Sequence, residues 1–316
     1  MDGDAYGAAD VFDATATTPP PPRPDAFVVA APAQLNELPL QQAVQGLQAE
    51  GHRCTLCPYP AAAAAEAIVA QARQAGFRRL AVVGDDAMLQ AMAAAAMHAK
   101  AGRDLCLAFV PTAAHSDLAP LLGLRTGLSL LDGLRQALLA PVRRVDVARC
   151  NAQHFLNCTT VAVPATESGA ALPTETVHAL ASFCGESSAL DLRPFAAVVH
   201  GPGFRWVGRF QGVAVGNGRS VAGRNLCPAA LLDDGLLDVV VMPAVPPAEW
   251  PQVAAQIAEA GFGRARAELQ YWRVPWVEVE AHEPLHLVVD GVTSRAQNLR
   301  FAAQPWSLAM ALPAPE

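Results

Sequence analysis

From residue 27 the chain alternates between two apolar patterns. Short continuous runs at residues 27–30, 80–83 and 105–110 carry no polar face, as expected of strands buried on both sides of a sheet, and residues 54–56 read as a further strand. Between them, apolar residues recur at helical spacing. Residues 34–50, with Leu38, Val44 and Leu47, and the alanine-rich residues 61–75 predict helices closed by Gly51 and Gly76. Residues 88–100 and 128–139 predict two more. Strands alternating with helices predict a parallel sheet built from βαβ units. Beyond Pro141 the pattern changes. Residues 144–149, 153–163, 195–199, 206–215, 236–242, 276–281, 286–289 and 307–312 read as strands, separated by turns and short helices at 174–184 and 249–260. That predicts a mostly antiparallel, β-rich second part. The expected organisation is a tail over residues 1–24, an α/β domain over 25–142 and a β-rich domain over 143–302.

Composition narrows the function classes. With 316 residues, a net charge of −7 and only 16% charged residues, the chain lacks the clustered Lys and Arg that grip a phosphate backbone, so nucleic acid is not an expected partner. No apolar run reaches the roughly 18 residues of a membrane span. The acidic start (Asp2, Asp4, Asp10, Asp13) lacks the features of a signal peptide, and the cytoplasm is the expected compartment. The proline-rich residues 1–24 cannot bury enough apolar surface to offset their ordering entropy and read as disordered. Seven scattered cysteines fit reduced thiols. Cys54 and Cys57 form a Cys-x-x-Cys without a second ligand pair, which reads as structural.

The most informative stretch is residues 216–243, GNGRSVAGRNLCPAALLDDGLLDVVVMP. Gly216, Gly218 and Gly223 allow either positive φ or close approach of a neighbour. Asp233-Asp234-Gly235 is turn chemistry, whose carboxylates can hold a hard cation together with backbone carbonyls. Residues 236–242 form an apolar, β-branched run suited to a buried strand. The order Asn-Gly, glycine pair, Pro-x-Ala, Asp-Gly-x-Leu-Asp-Val resembles the signature of the diacylglycerol kinase, sphingosine kinase and bacterial YegS-type lipid kinases. The resemblance covers nearly the whole chain after residue 25. It implies an N-terminal parallel-sheet domain like that of NAD kinase and phosphofructokinase, a C-terminal β-sandwich, and a closing segment, residues 303–316, that returns to the first domain. It also implies phosphorylation of a lipid hydroxyl (diacylglycerol-like or long-chain), with ATP and Mg²⁺ as cofactors. Candidate partners are that lipid, a membrane surface in transient contact, and a second copy in a homodimer.

Carried onto this chain, the resemblance places Gly84 and Asp85 in the family's Gly-Gly-Asp-Gly-Thr phosphate loop, where a strand ends and a helix N-terminus opens. Val83, Asp86 and Ala87 replace its other residues, and the second aspartate places like charge beside an anion site. In the family's Pro-x-Gly-Thr-x-Asn-Asp-Phe-Ala segment, Pro111, Asp117 and Ala119 are kept, while Ala113, Ala114 and Ser116 replace the glycine, threonine and asparagine. Ala114 and Asp117 are thus the candidate nucleotide contacts. His115 is a new donor, and Ala31-Pro32-Ala33 is all that remains of an Asn-Pro-x-x-Gly. In Asp290-Gly291-Val292 the family's proton-accepting glutamate has become Val292. Asp290 and Asp85 remain as candidate catalytic carboxylates, although Asp-Gly is equally a hairpin corner. Asp234, with the carbonyls of Leu237 and Val239, corresponds to the family's structural magnesium site, with Asp233 and Asp238 near enough to help through water. Two expectations follow: an active lipid kinase, or a catalytically inactive relative acting as a lipid-binding or regulatory module. His282-Glu283-Pro284-Leu285-His286 spells a zinc-hydrolase motif. That motif needs a helix, and on an extended chain its histidines stand about 13 Å apart.

Overall fold

A computed structural model describes residues 25–163, 193–221, 224–244, 246–249, 252 and 270–314. The tail over residues 1–24, the helix expected at 174–184 and nearly all of that expected at 249–260 lie outside the described residues, as do Ala222 and Gly223. Strands β1 (Ala26–Ala30), β2 (Cys54–Pro58), β3 (Arg79–Gly84) and β4 (Cys106–Pro111) pair in parallel in the order β2-β1-β3-β4. Helices α1 (Pro32–Leu35), α2 (Leu38–Ala49), α3 (Ala65–Gln74), α4 (Asp86–His98), α5 (Leu118–Leu121) and α6 (Leu130–Leu139) connect and follow them. Successive strand residues point to opposite faces. Phe27, Val29, Leu80 and Val82 therefore pack on α3 and α4, while Val28, Ala81 and Val83 pack on α2 and α6. Cys54 and Cys57 likewise enter opposite cores and cannot form a pair.

Helix boundaries follow local chemistry. Gly51 and Gly76 have φ of 88° and 77°, the left-handed conformation expected where they end α2 and α3. The single helix expected over residues 34–50 is two. Pro39 sits in the first turn of α2, where its missing N–H costs nothing, and the chain breaks at Asn36 and Glu37 before it. α6 starts after Leu128 because Ser129 takes the N-cap, its Oγ accepting from Asp132 N at 3.1 Å.

The remaining strands are β5 (Val142–Cys150), β6 (Gln153–Phe155), β7 (Cys158–Ala162), β8 (Phe195–Gly201), β9 (Phe204–Gly216), β10 (Ser220–Val221), β11 (Arg224–Asn225), β12 (Leu237–Pro243), β13 (Gln270–Val274), β14 (Trp276–Val289) and β15 (Val292–Ala311). Apart from one parallel contact between β15 and β4, their pairings are antiparallel. They enclose a core that includes Phe155, Phe195, Phe210, Val239, Val277 and Phe301. β15 is long enough to serve both halves. Residues 292–302 pair with β14, and Leu308, Met310 and Leu312 enter the first core beside β4. Residues 276–281 and 286–289 form one strand, β14, with a register shift between Glu280 and Leu285. His282 and His286 lie on it, extended as expected, and Glu283 is paired with Arg193. The single strand expected over residues 153–163 is broken at Leu156-Asn157, for a reason that belongs to the site.

Candidate functional site

The C-terminal ends of β3 and β4 carry the first group. Gly84 ends β3, and its carbonyl accepts from Thr112 N at 2.9 Å. A Cβ there would stand 2.6 Å from Met88 Sδ, so glycine lets α4 start close against the strand. Asp85 is the N-cap of α4, its carboxylate accepting from Met88 N at 2.9 Å. Asp86 reaches across to the other loop. Its Oδ1 accepts from Ser116 Oγ at 2.5 Å, and its Oδ2 from the backbone of Asp117 at 2.7 Å and Leu118 at 3.1 Å. Ser116 Oγ in turn accepts from Ala119 N at 2.8 Å. The residue expected only to repel an anion is therefore a clamp between two loops. Sequence reading missed this role. The available signal was that Asp86 and Ser116 depart from the family pattern together, one gaining an acceptor and the other a donor.

Asp290 forms the facing wall. Asp290 and Gly291 have φ of 45° and 85°, both positive, as a two-residue hairpin between β14 and β15 requires. The hairpin reading and the carboxylate reading both hold. Asp290 Oδ2 accepts from Leu156 N at 2.7 Å, and Oδ1 from Asn157 N at 3.2 Å and Cys158 N at 3.1 Å. These three amides turn toward a carboxylate instead of a neighbouring strand, which is why β6 and β7 are separate. Burial pushes the Asp290 carboxyl up to about 7, outweighing the three amides, with repulsion from Asp86 adding to the rise. That repulsion places the two loop systems within electrostatic reach. The structure thus joins Asp86 to the Asp117 backbone, beside Gly84 and Asp85, and brings Asp290 within electrostatic reach of Asp86. Val292, in the position of the family's glutamate, is 60% exposed and holds no proton acceptor.

Asn217 and its flanking glycines pack against the segment that Asp290 holds. Asn217 Nδ2 donates to the carbonyls of Leu156 and Asp146 at 2.9 and 3.2 Å, and the amides of Asn217 and Gly218 both donate to the Asn157 carbonyl. Gly216 and Gly218 serve close approach, not positive φ. A Cβ on Gly216 would lie 2.6 Å from Cys227 Sγ, and one on Gly218 would lie 2.4 Å from Asn157 Oδ1. Gly235 is different, with φ of 73° at the Asp-Asp-Gly corner.

That corner does not fit a magnesium ion as it is arranged. Asp234 Oδ2 accepts a short bond from the Arg273 guanidinium, and its Oδ1 accepts from Leu236 N at 3.0 Å. Asp233 pairs with Arg143 at 3.3 Å. Asp238 is buried, accepts from Tyr271 Oη and lies 3.6 Å from Arg273 Nε. Burial raises its carboxyl, against the lowering effect of Tyr271 and Arg273. Val239 pairs with β9 and β13 on its two sides, and Leu237 with Val274. Two guanidinium groups supply the positive charge that a cation would bring. A deeper carboxylate, Asp146, holds the same region together. It accepts from Gly235 N at 2.6 Å and Trp306 N at 2.7 Å, tying the corner to the returning β15.

Two cavities adjoin these loops. One, of about 630 Å³, opens at the ends of β3 and β4 and is lined by Gln34, Thr112, Ala114, Arg125, Thr126 and Gln136, among others. The second, of about 780 Å³, lies between α5, the start of β5, residues 230–233 and the end of the chain. Its wall mixes apolar residues, Leu121, Leu122, Leu231 and Leu312 among them, with the charged Arg143, Arg219 and Asp233. Arg125 and Gln136 border both cavities.

A parallel sheet, an antiparallel β-rich part and a strand returning from the second to the first carry these acidic loops. The YegS C-terminal NAD kinase β-sandwich-like domain matches residues 157–312. A protein of Pseudomonas fluorescens strain Pf-5, named probable lipid kinase YegS-like, is 32% identical over 262 residues, covering 79% of this chain and 82% of its own. A Xanthomonas oryzae pv. oryzae protein of the same name is 32% identical over 267 residues, covering 79% and 83%. A Bacillus anthracis structure described as a diacylglycerol kinase superposes with a TM-score of 0.70 at 19% identity, over 92% of this chain and 97% of that one, and so shares the fold. The chain belongs to the YegS-type lipid kinase family.

Proposed function

We propose that this chain is a member of the lipid kinase family that binds lipid but is impaired in phosphoryl transfer from ATP. The reading rests on one observation above the others: two of the chain's own carboxylates stand at the N-terminus of α4, and one of them caps it. Asp85 takes the Met88 amide, and Asp86 sits beside it, clamped to residues 116–118. A triphosphate placed there would meet two negative charges, with the Met88 amide already taken. The corresponding magnesium corner holds arginine. The parallel sheet itself fits the NAD-kinase- and phosphofructokinase-like domain expected from the resemblance, and the cavity that mixes leucines with arginines suits an amphiphile with an anionic or polar head.

A second reading, an ATP-dependent kinase of lipid hydroxyls with Asp290 as general base, is favoured by the elevated Asp290 pKa. A carboxyl titrating at about 7 is matched to base catalysis near neutral pH. Calorimetric titration with Mg-ATP separates the two. Impairment predicts no saturable heat at millimolar nucleotide and no change in melting temperature on adding magnesium. Stoichiometric nucleotide binding that is lost in Gly84→Val, a change that pushes the start of α4 away from the end of β3, overturns it.

A further inference from the structure

β8 and β14 run antiparallel with His200 opposite Glu278, and Glu280 follows on the same face of β14. The intervening Val277 and Val279 point into the sandwich core, so this face is the outer one, remote in role from the acidic loops. The register brings one imidazole and two carboxylates together. His200 Nε2 lies 3.4 Å from Glu278 Oε2 and 3.4 Å from Glu280 Oε1, and one ligand atom from each of the three residues lies within 4.8 Å of the other two.

Those spacings are long for a charge-assisted hydrogen bond, which closes to about 2.7–2.9 Å. They equal the edge of a tetrahedron whose vertices stand about 2.0–2.1 Å from a central ion, an edge of roughly 3.4 Å. The groups are also pre-oriented. The Trp276 ring packs edge-on against His200, with centroids 5.9 Å apart at 81°. Arg300 Nε lies 3.4 Å from the other oxygen of Glu278, Oε1, which leaves Oε2 turned to the imidazole. Arg205 is the cross-strand neighbour of His200 on β9. The side chains of His200 and Glu278 are 26% and 27% exposed, enough for water to reach a fourth position.

We infer that His200, Glu278 and Glu280 bind a divalent cation of the zinc class, with water as fourth ligand. One imidazole and two carboxylates form a borderline donor set that suits zinc over magnesium or calcium, which prefer all-oxygen shells. The site is independent of the ATP question and of the His282–His286 sequence motif, which lies further along the same strand.

The test uses the full chain stripped of metal, titrated with Zn²⁺ against a chromophoric chelator and separately with Co²⁺. One Zn²⁺ bound per chain, and intense visible cobalt bands of a four-coordinate centre, are expected. Both should disappear in His200→Ala and in Glu278→Gln. If either variant fails to fold, Glu280→Gln, whose side chain is 54% exposed, carries the same expectation. Absence of stoichiometric binding, binding unchanged in the variants, or a pale six-coordinate cobalt spectrum would each overturn the inference.

Discussion

Asp86 and Gly218 show how single residues decide this site. Asp86 stands where the family has glycine, and its carboxylate takes three hydrogen bonds from residues 116–118. Restoring the glycine, Asp86→Gly, removes the acceptor and leaves those donors to solvent. The expected cost is about 1–3 kcal/mol in urea denaturation, together with loosening of the 112–118 loop visible as faster amide exchange at Asp117 and Leu118. Gly218 has no room for a methyl group, since its Cβ would meet Asn157 Oδ1 at 2.4 Å and Leu121 Cδ2 at 2.5 Å. Gly218→Ala should therefore destabilise by about 1–3 kcal/mol, measured in the same way. An unchanged stability would show that the loop yields more easily than its hydrogen bonds to Asn157 imply. The sequence offered positive φ and close approach as equal reasons for these glycines. Only the neighbours, Cys227 beyond the following turn and Asn157 from 61 residues before Gly218, select the second.

Among the elements, the β14–β15 hairpin couples turn chemistry to titration. Asp290 has a carboxyl raised to about 7, whereas in an unfolded chain it titrates near the ordinary value of 3.8. Between those values the folded state holds the proton and the unfolded state does not. The contribution of Asp290 to stability is therefore greatest below about pH 4 and is lost as pH rises toward 7. Asp290→Asn, which mimics the protonated form, removes this dependence. The difference in unfolding free energy between the wild-type chain and Asp290→Asn should then shift in favour of the variant from pH 4 to 7 and become constant above it. A difference independent of pH would place the Asp290 pKa in the ordinary carboxylate range. Element types were legible from the chain because apolar runs and helical spacing report burial directly. The break between β6 and β7 was not, because its cause is a carboxylate more than 130 residues further on. The arginines that fill the Asp234 corner escaped notice for the same reason: Arg273 and Arg143 arrive there only through strand pairing.

At the scale of the whole molecule, β15 joins the halves. Its first part pairs with β14, and Leu308, Met310 and Leu312 are buried in the core of the parallel sheet. Truncation after Ala303 should unfold more than the end of the chain. It would expose the side of β4, empty three apolar positions and free Asp146 from Trp306, and the expected result is loss of the cooperative thermal transition. A cooperative transition at the wild-type temperature would show that the return is decoration. The family signature in residues 216–243 was readable in sequence because it builds this frame: close-packed glycines, a turn and a buried strand. Activity was less legible, because it depends on whether carboxylates at the α4 N-terminus face outward or are tied down.

Transfer of labelled phosphate from Mg-ATP to a panel of diacylglycerol-like and long-chain alcohol lipids tests the central claim most directly. The chain with Asp85, Asp86 and Asp290 engaged by its own backbone should leave every lipid unlabelled while still retaining extractable lipid after purification. Robust labelling that is abolished in Asp290→Asn would contradict it and establish an active lipid kinase.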